Sequence, residues 1–240
     1  MAFSLQGRTV LITGAAGGIG SATAGTCARM GAKLVLADLE HPHEVAERLR
    51  AEGAEVSTLA FDVRDRKASE EAVAGIEQLD AVVANAGYCP WDDWNDPDWD
   101  TVFDDTIAIN GMGVIHLVRP AMERMIRQGS GRIVLVSSVA GRMGGLRASP
   151  HYVIAKGGIN ALVKWLARRG APHGVMVNAV APGATATGMV RGQEFDLAGI
   201  PLGRLAEPRE IGDPIAFLCS DSASYICGTI LDVNGGVYMN

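Results

Sequence analysis

Tyr152 and Lys156 stand four residues apart in H-Y-V-I-A-K, a spacing that places two side chains on one face of a helix. A cation beside a phenol favours phenolate and lowers its pKa from the usual ~10. Such a tyrosine can give or take a proton near neutrality. Alone, the pair is ordinary helix surface. Two further features change its weight. Ser137 and Ser138 precede the tyrosine by 15 and 14 residues, and a glycine-rich T-G-A-A-G-G-I-G lies near the start of the chain. A serine hydroxyl is short enough to hold a substrate oxygen and to stabilise charge developing on it.

Gly14, Gly18 and Gly20, with Ile19 between the last two, form GxxxGxG between an apolar run at Thr9–Thr13 and a helical run at Ile19–Met30. The pattern is neither the commoner GxGxxG nor a P-loop, which would end in GK[ST]. A strand, a glycine turn and a helix start let backbone approach a pyrophosphate, and the free N–H groups of the first helical turn supply positive potential. Asp38 ends the next apolar run, 18 residues beyond Gly20. A carboxylate there can accept hydrogen bonds from an adenosine ribose diol; capping its own loop is the alternative. No Lys or Arg occupies Ala15–Gly18 or Leu39 to receive a 2′-phosphate, so NAD is expected over NADP. Asp62 and Val63 close a third strand and are expected to line the adenine. Asn85-Ala86-Gly87 forms a tight loop after a fourth.

The elements that must position these residues alternate. Strands are expected at Lys33–Ala37, Val56–Ala60, Ala81–Ala84, Ile133–Val136, Val175–Ala179 and Thr229–Val233. Helices are expected at Glu44–Glu52, Lys67–Gln78, Trp99–Arg127, Tyr152–Arg168 and Glu207–Cys219, with Gly111 and Gly113 weakening the long one. Continuous apolar strands imply a sheet covered on both faces, and regular β-then-α order makes it doubly wound and mostly parallel. The expectation is one α/β domain over residues 1–240.

The chain has 240 residues, 48% hydrophobic and 20% charged, with 30 glycines and a formal charge of -6. That size can bury one substantial core. The charge offers no basic footprint for nucleic acid or anionic membrane. No apolar run spans a bilayer and the first 20 residues lack a signal-peptide pattern, so the expected location is the cytoplasm. Cys27, Cys89, Cys219 and Cys227 show no metal-site spacing and are expected as buried free thiols, with no bound metal.

These motifs together resemble the classical short-chain dehydrogenase/reductase family, over essentially the whole chain. The matches are Thr13–Gly20, Asp62-Val63, Asn85–Gly87, Asn110, Ser138, Y-V-I-A-K at Tyr152–Lys156 and A-P-G at Ala181–Gly183. The tail P-L-G-R-L-A-E-P-R-E-I and S-Y-I-C-G-T-I-L-D-V-N-G-G is similar to the 3-oxoacyl thioester reductase-like branch, which includes sugar, polyol and cyclic alcohol dehydrogenases. The resemblance implies a Rossmann-like seven-stranded sheet, a homotetramer and a catalytic tetrad of Asn110, Ser138, Tyr152 and Lys156. By the same resemblance, Lys156 also holds the nicotinamide ribose, Asn110 supports a water, and Pro182, Gly183, Thr185 and Thr187 approach the nicotinamide. Residues 188–200 would form a short substrate lid. The interval from Ser138 to Tyr152 is one residue longer than is commonest, and A-N-A-G stands where the family commonly has N-N-A-G.

The implied reaction is hydride transfer between NAD and a small secondary alcohol or ketone: a cyclic alcohol, a polyol or a sugar derivative. Reduction of a 3-oxoacyl thioester is the enzymatic alternative, and a non-catalytic nucleotide-binding protein the other. Around the pocket, Trp91 and Trp94 either wall an apolar or ring-shaped substrate or pack elsewhere. Trp99 reads as a helix-start packing residue, His151 as a peripheral helix-start residue or one at the pocket rim, and Arg142 and Arg147 as solvated or carboxylate-binding.

Overall fold

The computed structural model describes residues 3–92, 95–145 and 147–240. Seven strands form one sheet: β1 (Thr9–Thr13), β2 (Lys33–Asp38), β3 (Val56–Ala60), β4 (Ala81–Ala84), β5 (Gly131–Val136), β6 (Val175–Pro182) and β7 (Ile230–Val233). Their order is β3-β2-β1-β4-β5-β6-β7, and every pairing is parallel. The sheet is therefore wholly parallel, where the sequence reading had it mostly so.

The strands are apolar throughout because both faces are covered. Val10 and Ile12 point to one side, where α1 (Gly18–Arg29), α2 (His43–Ala51) and α8 (Pro208–Cys219) contribute Ala24, Leu49, Ile211 and Ile215. Leu11, Ile133 and Leu135 point to the other, against Val73 of α3 (Arg66–Ala74), Leu117 of α5 (Gly113–Gln128) and Val163 of α7 (Pro150–Gly170). Alternation along each strand thus feeds two cores rather than one core and solvent. Each fully buried Leu or Ile contributes ~1.5–3 kcal/mol.

The strand order reverses between β1 and β4, so the loops after their C-terminal ends diverge and leave a crevice. Thr13, Asp38, Ala84, Val136 and Pro182 end their strands at that edge.

Some element bounds differ from expectation. α3 stops at Ala74, capped by Gly75, instead of running to Gln78. The expected long helix is three pieces: α4 (Trp99–Ile107), one π-helical turn at Ala108–Met112, and α5. A π turn inserts an extra residue into the hydrogen-bond ladder and re-aims what it carries. Its middle residue is Asn110. Of the four cysteines, Cys27, Cys89 and Cys219 are buried free thiols but Cys227 is exposed, a correction to the expectation of four buried ones. No helix among the described residues is long and apolar enough to cross a membrane.

Candidate active site

The crevice is a cleft of about 840 Å³ along the C-terminal edge of the sheet. Gly14, Gly18, Ile19, Gly20, Asp38, Asp62, Val63, Asn85, Ala86, Gly87, Ser138, Tyr152, Lys156, Pro182, Gly183, Thr185 and Thr187 all line it. Asn110 alone of the expected site residues does not.

At one end the wall is backbone. Gly14 turns with φ of +65°, and a Cβ there would stand 2.8 Å from the Ala86 Cα. The side chain that holds these loops together is Asn85, whose amide donates to the carbonyls of Thr13 (2.9 Å) and Gly14 (3.1 Å). The Thr13 hydroxyl accepts from the Asn85 and Ala86 N–H groups in return, each at 3.2 Å. Gly17 caps α1 with no side-chain hydrogen bond, and the first turn carries no acid. A bare, positively polarised helix start beside close-packed glycines fits a pyrophosphate. Asp38 caps its loop and still faces the cleft. It lines the cleft, and its carboxylate accepts from Ala16 N–H (2.9 Å) and Leu39 N–H (2.8 Å), joining β2 to the glycine loop. Asp62 is held below the usual carboxylate range, first by its side-chain hydrogen bond from Arg64. Arg64 also bonds Asp105. Sequence reading passed over Arg64, although it directly follows Asp62-Val63.

At the other end the wall is made of side chains. α7 begins with Ser149 before Pro150, whose fixed φ suits a first helical position. One turn on, Tyr152 (9% exposed) and Lys156 (3%) face inward. The Lys156 Nζ lies 5.6 Å from the Tyr152 ring centroid and donates to the Val136 carbonyl at 2.9 Å. The Ser138 hydroxyl is near enough to Tyr152 to favour its phenolate, while its Oγ accepts from Ala140 N–H at 3.1 Å. Ser137 turns away: its hydroxyl donates to Asn160 Oδ1 (2.7 Å), with the Lys156 carbonyl at 3.2 Å. Two adjacent serines thus divide the work, one facing the cleft and one tying α7 to β5.

The electrostatics reverse one expectation. Burial pushes the Tyr152 phenol above its ordinary value, outweighing the Ser138 hydroxyl that lowers it, and the Cys89 thiol adds to the rise. Burial also brings Lys156 down to about 8. Spacing alone shows the cation near the phenol but not the loss of solvent by both, which penalises each charged form.

Asn110 is fully buried behind Gly87. Its Nδ2 donates to the carbonyls of Tyr88 (2.7 Å) and Thr106 (3.0 Å), and its Oδ1 accepts from Tyr88 N–H (3.3 Å). The side chain secures the segment that follows Asn85–Gly87.

That segment supplies two wall residues, Cys89 and Trp91, packed with Ala140, Ala148 and Val153 around Tyr152. Burial raises the Cys89 thiol to about 12. Trp91 lines the cleft, whereas Trp94 lies outside the described residues. Trp99 opens α4 and packs on Phe103 and His151. His151 is fully buried, its Nε2 3.3 Å from Asp92 Oδ1, so it is not peripheral. Arg142 pairs with Asp232 at 3.0 Å and lies over the Tyr238 ring. Arg147 lines the cleft and donates to the Glu194 carbonyl. Phe195 and Val237 also line it, with no motif in the sequence to mark them.

A doubly wound sheet with this glycine loop and an inward serine–tyrosine–lysine group defines a nucleotide-dependent oxidoreductase fold. Residues 14–238 match the family model described as enoyl-(acyl carrier protein) reductase. L-rhamnose 1-dehydrogenase (NAD(P)(+)) of Sphingomonas sp. is 36% identical over 98% of both chains. Cis-4-hydroxycyclohexanecarboxylate dehydrogenase of Sinomonas cyclohexanicum is 39% identical over 95% of this chain and 96% of the relative. The crystal structure of a 3-oxoacyl-[acyl-carrier protein] reductase with bound NAD from Brucella melitensis superposes with a TM-score of 0.90 at 32% identity, over 99% of this chain and 93% of that one. The chain belongs to the short-chain dehydrogenase/reductase family and is an NAD(P)-dependent oxidoreductase.

Lys156 gives a test by pH. Its pKa near 8 in the fold against 10.5 for an ordinary lysine means that the unfolded chain binds more protons between those values. The burial penalty is fully present below pH 8 and is relieved as pH rises towards 10.5, by ~3 kcal/mol in all. Thermal unfolding from pH 7.5 to 10.5 should therefore show a stabilising contribution in the native chain that Lys156→Met lacks. Parallel profiles for the two proteins would remove the assignment.

Proposed function

We propose that the protein transfers hydride between NAD and a small secondary alcohol or ketone, with Tyr152 as the proton donor and acceptor. The observation that carries this reading is Ser138 beside the buried Tyr152 and Lys156 at one end of a cleft whose other end is bare backbone. The cofactor supplies the hydride acceptor and, when oxidised, a positive charge. Gly14, Gly18, Ile19, Gly20 and Gly183 would cradle its phosphates and amide, Asp38 its adenosine ribose, and Asp62 with Val63 its adenine. Thr185 and Thr187 sit on the loop beyond Pro182.

The raised phenol of Tyr152 is the protonated form that carbonyl reduction requires. Ser138 holds the substrate oxygen beside Tyr152, from which the proton moves. Lys156 stays by the ring, where a positive charge favours phenolate in the oxidation direction. Asn110 acts one step back, through Tyr88 and Gly87. Residues 188–200, with short 3-10 turns at Gly188–Val190 and Leu197–Gly199, serve as the lid of a single domain working in the cytoplasm. Reduction of a 3-oxoacyl thioester is the second reading, favoured by the likeness to the Brucella melitensis reductase. Asp38 disfavours it, since a reductive biosynthetic step generally draws on NADP and a 2′-phosphate would meet its carboxylate.

A homotetramer fits the exposed apolar surface. Met112 and Ile115 at the π turn and α5, and Ile154 and Trp165 on α7, stand out on the helices expected to meet. In the tail, Met239 is exposed, but Val237 lines the cleft and Tyr238 stacks under Arg142, so these two act within the chain.

Tyr152→Phe should lower kcat by about a thousandfold or more while NAD binding, read by calorimetry, changes less than threefold; near-native turnover would remove Tyr152 from the proton path. NAD should give the higher kcat/KM over NADP, and Asp38→Ala should shrink that ratio at least tenfold. A parent that prefers NADP contradicts the assignment of Asp38. Light scattering across a dilution series should report four subunits, and an active stable monomer would defeat the tetramer.

A further inference from the structure

The catalytic end of the cleft has a chemical character of its own. Around Tyr152 the wall is Cys89, Trp91, Ala140 and Ala148, faced by Met189 and Phe195 of the lid. Two charged groups stand nearby, each bonded within the lid through one atom: Arg147 donates one N–H to the Glu194 carbonyl and Asp196 accepts from Ala198 N–H. Tyr88 is 42% exposed. Beyond Ser138 and Tyr152, which take the reacting oxygen, this wall holds few groups for further hydroxyls among the described residues.

Resting on the oxidoreductase reading above, we propose that the substrate is a compact apolar ring, an alicyclic secondary alcohol or its ketone, and that Trp91 with Phe195 sets this preference. A sugar or polyol brings several hydroxyls into the wall, and each one left without a partner loses affinity on the order of tenfold. An apolar alicyclic ring instead meets the aromatic and thioether surface that Trp91, Phe195 and Met189 present to the cleft.

Compactness follows from a bridge across the cleft. The Trp91 indole N–H donates to the Met189 carbonyl at 3.0 Å. Its ring meets Phe195 edge to face, with centroids 6.1 Å apart and planes at 84°. Wall and lid therefore touch beside the catalytic group and narrow the cleft there, which suits a compact substrate better than a long acyl thioester.

The bridge is also held in register with Tyr152. Asp92, next to Trp91, accepts from the Ser149 hydroxyl, which lies 3.2 Å from the Pro90 carbonyl, and faces His151 Nε2 at 3.3 Å. Ser149 and His151 start the helix that carries Tyr152, so the aromatic wall and the reacting hydroxyl share one mounting. Such preorganisation turns a hydrophobic patch into a selective one.

The test is a panel of alcohols oxidised with NAD: cyclohexanol and 4-methylcyclohexanol against 2-hexanol, sorbitol, L-rhamnose and 3-hydroxybutyryl coenzyme A. The ring alcohols should lead in kcat/KM by at least tenfold. Trp91→Ala should lower their kcat/KM at least tenfold, mainly by raising KM, and Trp91→Phe should recover most of the loss. NAD binding by calorimetry shows that each variant is folded. A higher kcat/KM for any of the other four, or an unchanged KM in folded Trp91→Ala, overturns the ring assignment. The parent reading fails separately, if Tyr152→Phe oxidises the best of these alcohols as fast as the native chain or if none is oxidised at all.

Discussion

A lysine ammonium buried at the end of a strand is the constraint around which the catalytic end is built. Lys156 has left water and has the Val136 carbonyl as its acceptor. A charge in that position is stable only if its surroundings keep it hydrogen-bonded and close to polar partners. The neighbouring elements meet that demand. Ser137 and Asn160 tie α7 to β5 beside it. The short helix Ala140–Met143 rides directly on it, so closely that a Cβ on Gly141 would lie 2.6 Å from the Lys156 carbonyl carbon. With α7 clamped this way, Tyr152 one turn earlier has little freedom to leave Ser138. The price of that order is a proton affinity unlike that of a surface lysine.

The second constraint is close approach of backbone to backbone. Gly14 and Ala86, from loops after β1 and β4, meet at the point where strand order reverses. Asn85 holds that meeting by bonding two carbonyls of the other loop. Asn110 repeats the device one layer out, pairing with both backbone groups of Tyr88 from the π turn. Two asparagines thus brace successive parts of one loop. Their amides suit the task because each offers donors and an acceptor to a backbone edge.

Much of this was legible in the sequence, and the reasons for the remainder are specific. The strands follow from apolar runs and glycine punctuation, because buried parallel strands leave no other pattern. The glycine loop and the Tyr152–Lys156 spacing are local, and local geometry survives folding. The sign of the Tyr152 shift was not legible, since desolvation depends on what packs above the pair: Cys89 and Ala140 arrive from distant segments. The π turn was foreshadowed only by Gly111 and Gly113, which weaken a helix without saying how it yields. His151 reads as peripheral by its place at a helix start, yet Trp99 and Phe103 from α4 cover it completely. Trp91 could not be placed because its partners, Met189 and Phe195, lie about a hundred residues away.

These differences fall along the division between the two ends of the cleft. The nucleotide end is made by backbone at glycines, where a side chain would strike a neighbouring chain segment. Substitution there moves the loops themselves, so one cofactor geometry persists wherever the fold does. At the catalytic end the wall is side chains set on firmly held elements. Replacing Cys89, Trp91 or Phe195 changes shape and polarity without moving the strand ends that carry Ser138 or the helix that carries Tyr152. Proteins with the same sheet can accordingly differ in what they oxidise while keeping how they oxidise it. Dehydrogenases of a sugar and of a hydroxycyclohexane acid, each more than a third identical to this chain, fit that division. What distinguishes one member from another must then be read from the few side chains facing Tyr152, which among the described residues of this chain include the apolar Trp91, Ala140 and Ala148.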